Sequence, residues 1–170
     1  MTSTPETNRI LLVEDEDQLR EVIASEIKDA GIEVIGVRNG LEAIEALRHH
    51  EVDAVLSDLC MPELSGMQLL QILRANGFYK PFVVLSAFGT RTEAIELLKL
   101  GAMDFLEKPI DSVALIKAVS AAVQLGHALP KLRLEFMEQL GLKEGDNNPA
   151  LEKAITQIAQ LRFIRTSKTA

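Results

Sequence analysis

Ile10-Leu11-Leu12-Val13-Glu14-Asp15-Glu16-Asp17 joins four apolar residues directly to four acids. A short apolar run fits a strand buried on both faces, and acids favour the first turn of a helix, so the stretch reads as a strand that turns straight into a helix. Four further apolar runs follow, at residues 34–37, 54–57, 82–86 and 105–106. Between and after them, apolar residues recur every three or four positions: Leu19, Val22, Ile23 and Ile27; Leu41, Ile44 and Leu47; Leu69, Leu70 and Leu73; Ile95 and Leu98; Val113, Ile116, Val119 and Val123. Strict alternation of strand and helix predicts a parallel sheet covered on both faces, because parallel neighbours need a crossover helix. Such sheets carry their chemistry just beyond the carboxyl ends of the strands.

The 170 residues suit one ordinary domain with a remainder. One cysteine excludes an internal disulfide or a thiolate metal cage. No single apolar run approaches the roughly 20 residues of a membrane helix, and residues 1–8 are polar, so a cytoplasmic protein without a membrane partner is expected. The net charge of -7 is unevenly spread. Through Leu125 there are 11 basic and 20 acidic side chains, and residues 126–170 carry 7 and 5. An acidic domain is a poor ligand for nucleic acid, whose phosphates require cations.

The third strand ends at Ser57-Asp58-Leu59-Cys60-Met61-Pro62, with Ser65-Gly66 opening the next helix. Asp58 therefore shares a sheet edge with Glu14 and Asp15, and carboxylates held together repel unless a cation joins them. Hard oxygen donors suit Mg²⁺, which often works beside a phosphoryl group. The fourth strand ends in Ser86 and the fifth is followed by Lys108, supplying a hydroxyl and an ammonium for an anion. Each has a plain alternative, a strand-end cap or a lone counter-ion. The four positions together make coincidence a poor explanation.

These stretches, with Val84-Leu85-Ser86-Ala87 and Gly101-Ala102-Met103-Asp104-Phe105-Leu106-Glu107-Lys108-Pro109, resemble the receiver domains of two-component response regulators. The likeness spans residues 9–125. It implies an α/β, flavodoxin-like, doubly wound sheet of five parallel strands in the order 2-1-3-4-5 with five helices. It also implies that Asp58 accepts a phosphoryl group from a histidine kinase or histidine phosphotransfer protein. Glu14, Asp15, Asp58 and the backbone carbonyl of Cys60 would then hold Mg²⁺, while Ser86 and Lys108 bind the phosphoryl oxygens. Ser86 and Phe105 fall at switch positions, Cys60 and Phe88 flank the access route of water, and the peptide before Pro109 is commonly cis in the family. Glu14 stands where Asp is commoner, and Phe105 lacks the hydroxyl of a Tyr. Output is expected at the face formed by the fourth helix, fifth strand and fifth helix, acting on a downstream protein effector. Such a chain is a signalling phosphoacceptor with self-catalysed transfer and hydrolysis, not an enzyme with a diffusible substrate.

Three parts are expected: a flexible start at 1–8, the receiver at 9–125, and a helical extension at 126–170. Within the extension, Pro130 is expected to interrupt the helical pattern, with Leu132, Phe136 and Leu140 forming a short amphipathic series. Leu151, Ala154, Ile155, Ile158 and Leu161 form an apolar stripe that must be buried internally, in a homodimer or on a partner. Arg162, Arg165 and Lys168 offer phosphate contacts, yet the extension lacks an Arg/Lys-rich recognition helix, so DNA is not the expected partner. Competing readings are a transcriptional regulator with a minimal DNA-binding tail, a phosphoaspartyl phosphatase and an unphosphorylated interaction module. The phosphatase order, nucleophilic Asp first and acid pair last, is the reverse of this chain.

Overall fold

Strand and helix alternate from Arg9 to Gln139 in a computed structural model that describes residues 8–87, 90–143 and 148–167. The elements are β1 (Arg9–Val13), α1 (Asp17–Asp29), β2 (Glu33–Val37), α2 (Gly40–His49), β3 (Ala54–Asp58), α3 (Gly66–Ala75), β4 (Phe82–Ser86), α4 (Arg91–Lys99), β5 (Asp104–Glu107), α5 (Ser112–Gln139) and α6 (Pro149–Ser167). The strands form one parallel sheet in the order β2-β1-β3-β4-β5, as the resemblance implied. Every residue of β3 and β4 is buried, as the continuous apolar runs require of central parallel strands. Of the expected flexible start, residues 1–7 lie outside the described residues.

Side-chain alternation along the strands divides the core in two. Ile10, Leu12, Leu56, Val83 and Leu85 face α1 and α5, meeting Ile23, Ile27, Leu115 and Val119. Leu11, Val13, Val55, Phe82 and Val84 face the other way, toward Ala43 of α2, Leu69, Leu70 and Leu73 of α3 and Leu97 of α4. Local polar groups fix where four helices start, with Asp111 capping α5 by accepting from the Ala114 N–H. Asn39 caps α2, and capping boxes pair Ser65 with Gln68 at α3 and Thr90 with Glu93 at α4.

Several helix faces differ from the periodic reading. In α4 the inward residue is the fully buried Leu97, while Ile95 and Leu98 are exposed. Val113 faces solvent at the start of α5, and Leu115, Ala118, Val119, Ala122 and Val123 face the sheet. Val22 and Leu41 likewise point outward. Alanines escape a search for large apolar residues, and they let a helix approach the sheet closely.

Pro130 does not end α5, which runs unbroken for 28 residues. A proline at this place removes the hydrogen bond to the Gly126 carbonyl and costs about 3 kcal/mol in an isolated helix. Packing on both sides offsets that penalty: Leu125 and Gly126 are buried before it, and Met137 after it. The α6 helix folds back onto α5, burying Ile155, Thr156 and Ala159. Arg133 pairs with Glu152 across the two helices, and the Thr156 hydroxyl donates to the Tyr79 carbonyl at 3.4 Å. The apolar stripe is thus only partly covered, since Ile158 and Leu161 remain exposed. By length and composition α5 is also apolar enough to cross a membrane, with a window of mean hydropathy 1.4, contrary to the run-by-run reading. Much of that apolar surface is instead packed on the sheet.

Gly126 sits where α5 crosses the approach to β3. A Cβ there would lie 2.0 Å from the Asp53 carbonyl oxygen, and neighbouring His127 places Nε2 3.2 Å from an Asp53 carboxylate oxygen. Gly126→Ala should therefore lower stability by about 1–3 kcal/mol in urea unfolding, as overpacking against backbone does. Gly36→Ala is the control, because its Cβ first meets the flexible Arg20 side chain at 3.5 Å. Equal stability of the two variants would refute the close-approach reading.

Candidate functional site

The register brings three strand ends together. β1 lies between β2 and β3, so Val13 stands opposite Ser57, and the next residue on each strand is an acid, Glu14 and Asp58. Both side chains are buried, while Asp15 is exposed. Candidate oxygen donors from Glu14, Asp15 and Asp58 all lie within 4.8 Å of one another. Two ligands of one Mg²⁺ span at most about 4 Å, so a small closure makes this donor set fit that ion.

Lys108 enters from the loop after β5. Its backbone N–H donates to the Ser86 carbonyl at 2.8 Å, and the Lys108–Pro109 peptide is cis. Its Nζ lies 2.9 Å from a Glu14 carboxylate oxygen and 3.2 Å from Asp58 Oδ1. The backbone N–H of Leu59 donates to that same Asp58 oxygen at 2.9 Å. Ser86 is fully buried at the end of β4, next to the strand that carries Asp58.

Burial pushes the Glu14 carboxyl above its ordinary range, outweighing the hydrogen bond from Lys108, and the nearby Asp58 charge adds to the rise. Burial likewise raises Asp58, against the pull of Lys108. For Lys108 burial acts downward, but the Glu14 hydrogen bond and the charges of Asp58 and Glu14 outweigh it and raise the ammonium. Two buried carboxylates sharing one ammonium leave a surplus of negative charge, which a divalent cation relieves.

Residues 10–120 match the family described as the response regulator receiver domain. The chain belongs to that family. Its receiver domain is 34% identical over 119 residues to the transcriptional regulatory protein FixJ of Azorhizobium caulinodans, covering 70% of this chain and 56% of FixJ. The response regulator protein FleR of Pseudomonas aeruginosa is 32% identical over 163 residues, covering 95% of this chain and 32% of FleR. The chain thus spans about a third to a half of these relatives. Among solved structures, the receiver domain of a Francisella response regulator aligns with TM-score 0.67 at 30% identity, over 69% of this chain and 98% of that one. The receiver domain of a Vibrio parahaemolyticus LuxO-type repressor aligns with TM-score 0.70 at 28% identity, over 74% and 97%.

Within this receiver, Glu14, Asp15, Asp58, Ser86 and Lys108 gather as the sequence suggested. Cys60 is exposed nearby, and Phe88 lies outside the described residues. Phe105 is half-buried on the α4 side of the sheet and paired in register with Val84. Two contacts escaped the sequence reading. Arg20 donates to the Glu14 carbonyl at 2.9 Å and pairs with Asp17, fixing the acidic turn. Gly66 approaches so closely that a Cβ would lie 2.2 Å from the Asp58 carbonyl oxygen. The i,i+3 spacing of Asp17 and Arg20 was the available signal for the first, and a glycine directly after the Ser65 cap for the second.

Because Asp58 holds its proton more tightly folded than unfolded, this group adds stability at low pH and withdraws it as pH rises through its raised value. Without metal, Asp58→Asn should therefore be more stable than the parent at pH 7, by on the order of 1 kcal/mol. The gain should shrink as pH falls into the carboxylate range. Urea unfolding in EDTA at pH 7 and pH 5 checks this, and a less stable Asp58→Asn at pH 7 refutes it.

Proposed function

We propose that this receiver accepts a phosphoryl group on Asp58 from a phosphohistidine of a histidine kinase or phosphotransfer protein. One observation carries the reading: a buried carboxylate ends the central strand β3 with one oxygen shared between Lys108 and the Leu59 N–H, beside two further acids. The free Asp58 oxygen attacks phosphorus, the P–N bond breaks toward the imidazole, and an acyl phosphate forms. Lys108 and the Ser86 hydroxyl take up charge on the phosphoryl oxygens. Glu14, Asp15, Asp58 and the Cys60 carbonyl would hold Mg²⁺. That ion, when bound, neutralises the developing charge. Water later hydrolyses the acyl phosphate, so the chain acts on itself and has no diffusible substrate.

Output follows from what Ser86 is joined to. It precedes α4 and is paired with β5, where Ser86 stands opposite Glu107 and Phe105 two residues earlier opposite Val84. Phosphorylation that draws on the Ser86 hydroxyl biases a two-state packing of α4, β5 and Phe105. The exposed Ile95, Leu98 and Val113 give this face the apolar surface that a protein effector needs. A cytoplasmic setting is consistent with this chemistry.

Incubation with acetyl phosphate and Mg²⁺, followed by intact-mass analysis, tests the proposal. One phosphoryl group should be added to the parent and none to Asp58→Asn, and Lys108→Ala should slow the addition by about 10²-fold. Omitting Mg²⁺ should suppress it. Undiminished addition to Asp58→Asn would overturn the assignment.

A further inference from the structure

The α6 helix is apolar on two sides and covered on one. Ile155, Thr156 and Ala159 are buried where α6 folds back onto α5. At about 100° per residue, Leu151, Ala154, Ile158 and Leu161 fall in a separate arc about 80° wide. Leu161 is 64% exposed and Ile158 40%, with Leu151 and Ala154 half-buried. From Leu151 to Leu161 this arc holds no charged residue. A surface helix keeps one face polar, whereas a helix that is apolar on both sides is buried on both. The second arc therefore calls for a cover.

Its spacing indicates which. The four positions are three, four and three residues apart, the a/d rhythm of a two-stranded seam. That rhythm is the same in both directions. Turned about a two-fold axis, the stripe sets Leu151 opposite Leu161 of the partner subunit and Ala154 opposite Ile158 of the partner subunit, so large meets large and small meets large without a gap in the series. Charge favours the same arrangement. Residues 144–148, which lead into α6, include two acids and no base, and residues 162–168 include three bases and no acid. An antiparallel pair brings the basic end of each helix toward the acidic approach of the other, while a parallel pair sets like charges together. The bodies of two copies repel, with 11 basic against 20 acidic side chains through Leu125, whereas residues 126–170 carry 7 against 5. The extension is thus where two such chains meet at least electrostatic cost.

We propose that α6 pairs antiparallel with α6 of a second copy of this chain, with Leu151, Ala154, Ile158 and Leu161 as the seam. One helix face per copy falls below the roughly 800 Å² per partner of a standard stable interface, so the dimer forms reversibly as concentration rises. Thr156 holds α6 to the Tyr79 carbonyl, just ahead of the amino end of β4, so the pairing occurs at the end of the sheet opposite Asp58.

Sedimentation equilibrium on the full chain, from about 10 μM to about 1 mM, tests this. Working in EDTA without a phosphoryl donor makes the outcome independent of the chemistry at Asp58. The average mass should rise from 18.7 kDa toward twice that value. Association should weaken by about tenfold or more in Ile158→Glu and in Leu161→Glu, and stay unchanged in Val22→Glu, at an exposed position of α1. Because position 154 faces position 158 across the axis, adding Ala154→Lys to Ile158→Glu should restore association. Circular dichroism melts establish that each variant remains folded. A monomer at every concentration would overturn the proposal and leave the stripe to a different protein. A dimer undiminished in Leu161→Glu, or lost only in Leu98→Glu on α4, would overturn it as well, and failure of Ala154→Lys to restore association would overturn the antiparallel register.

Discussion

A single ammonium holds the carboxyl end of this sheet together. Lys108 Nζ lies within 3.2 Å of two buried carboxylates that arrive from different strands, Glu14 after β1 and Asp58 at the end of β3. Removing the ammonium would leave both carboxylates out of water without a counter-charge, a penalty of several kcal/mol, so Lys108 ties the two strand ends together. The arrangement is still not balanced. Two carboxylates against one cation leave the site short of positive charge, and the exposed Asp15 beside them increases the deficit. A divalent cation would relieve that deficit.

Topology is what makes the arrangement available to a short chain. In the order β2-β1-β3-β4-β5, β1 and β3 are neighbours although a strand and two helices separate them in sequence. A right-handed crossover on either side of β1 produces that adjacency, and it places the residue after each strand at one edge. The close contacts of glycine serve the same geometry. Gly66 lets α3 begin against the Asp58 carbonyl, so the capping box of Ser65 and Gln68 fixes the helix start and the loop after Asp58 together.

Most of this was legible because it depends on local chemistry that the sequence displays directly. Continuous apolar runs mark central parallel strands, and Glu14, Asp15, Asp58, Ser86 and Lys108 each follow or end one. Helix faces were harder to read. Large apolar residues at helical spacing located α4 correctly but chose Ile95 and Leu98, which face solvent, over Leu97, which does not. A spacing of three or four fits either side of a short helix, and only the approach of the sheet decides between them. The continuation of α5 through Pro130 was illegible for a related reason. The local penalty of proline is visible in sequence, whereas the packing that offsets it comes from Gly126 against Asp53 and from α6, both distant along the chain.

The same distance between cause and effect shapes how the two ends of the molecule are connected. Helices in such a sheet run antiparallel to their strands, so α4 starts near the carboxyl end, just after Ser86, and finishes near the amino end at Lys99. Its nine residues span about 14 Å. Its hold on the core is slight, because among its described side chains Leu97 is the one large side chain fully buried, while Ile95 and Leu98 lie exposed. A helix anchored at one point moves more easily as a rigid body than it deforms. Lys99 closes α4, and the Gly101 carbonyl just beyond it is one that Arg74 holds. Arg74 also holds the Phe78 and Lys80 carbonyls on either side of Tyr79, whose own carbonyl receives the Thr156 hydroxyl of α6. A continuous series of contacts thus runs from the end of α4 through one buried guanidinium to the C-terminal helix.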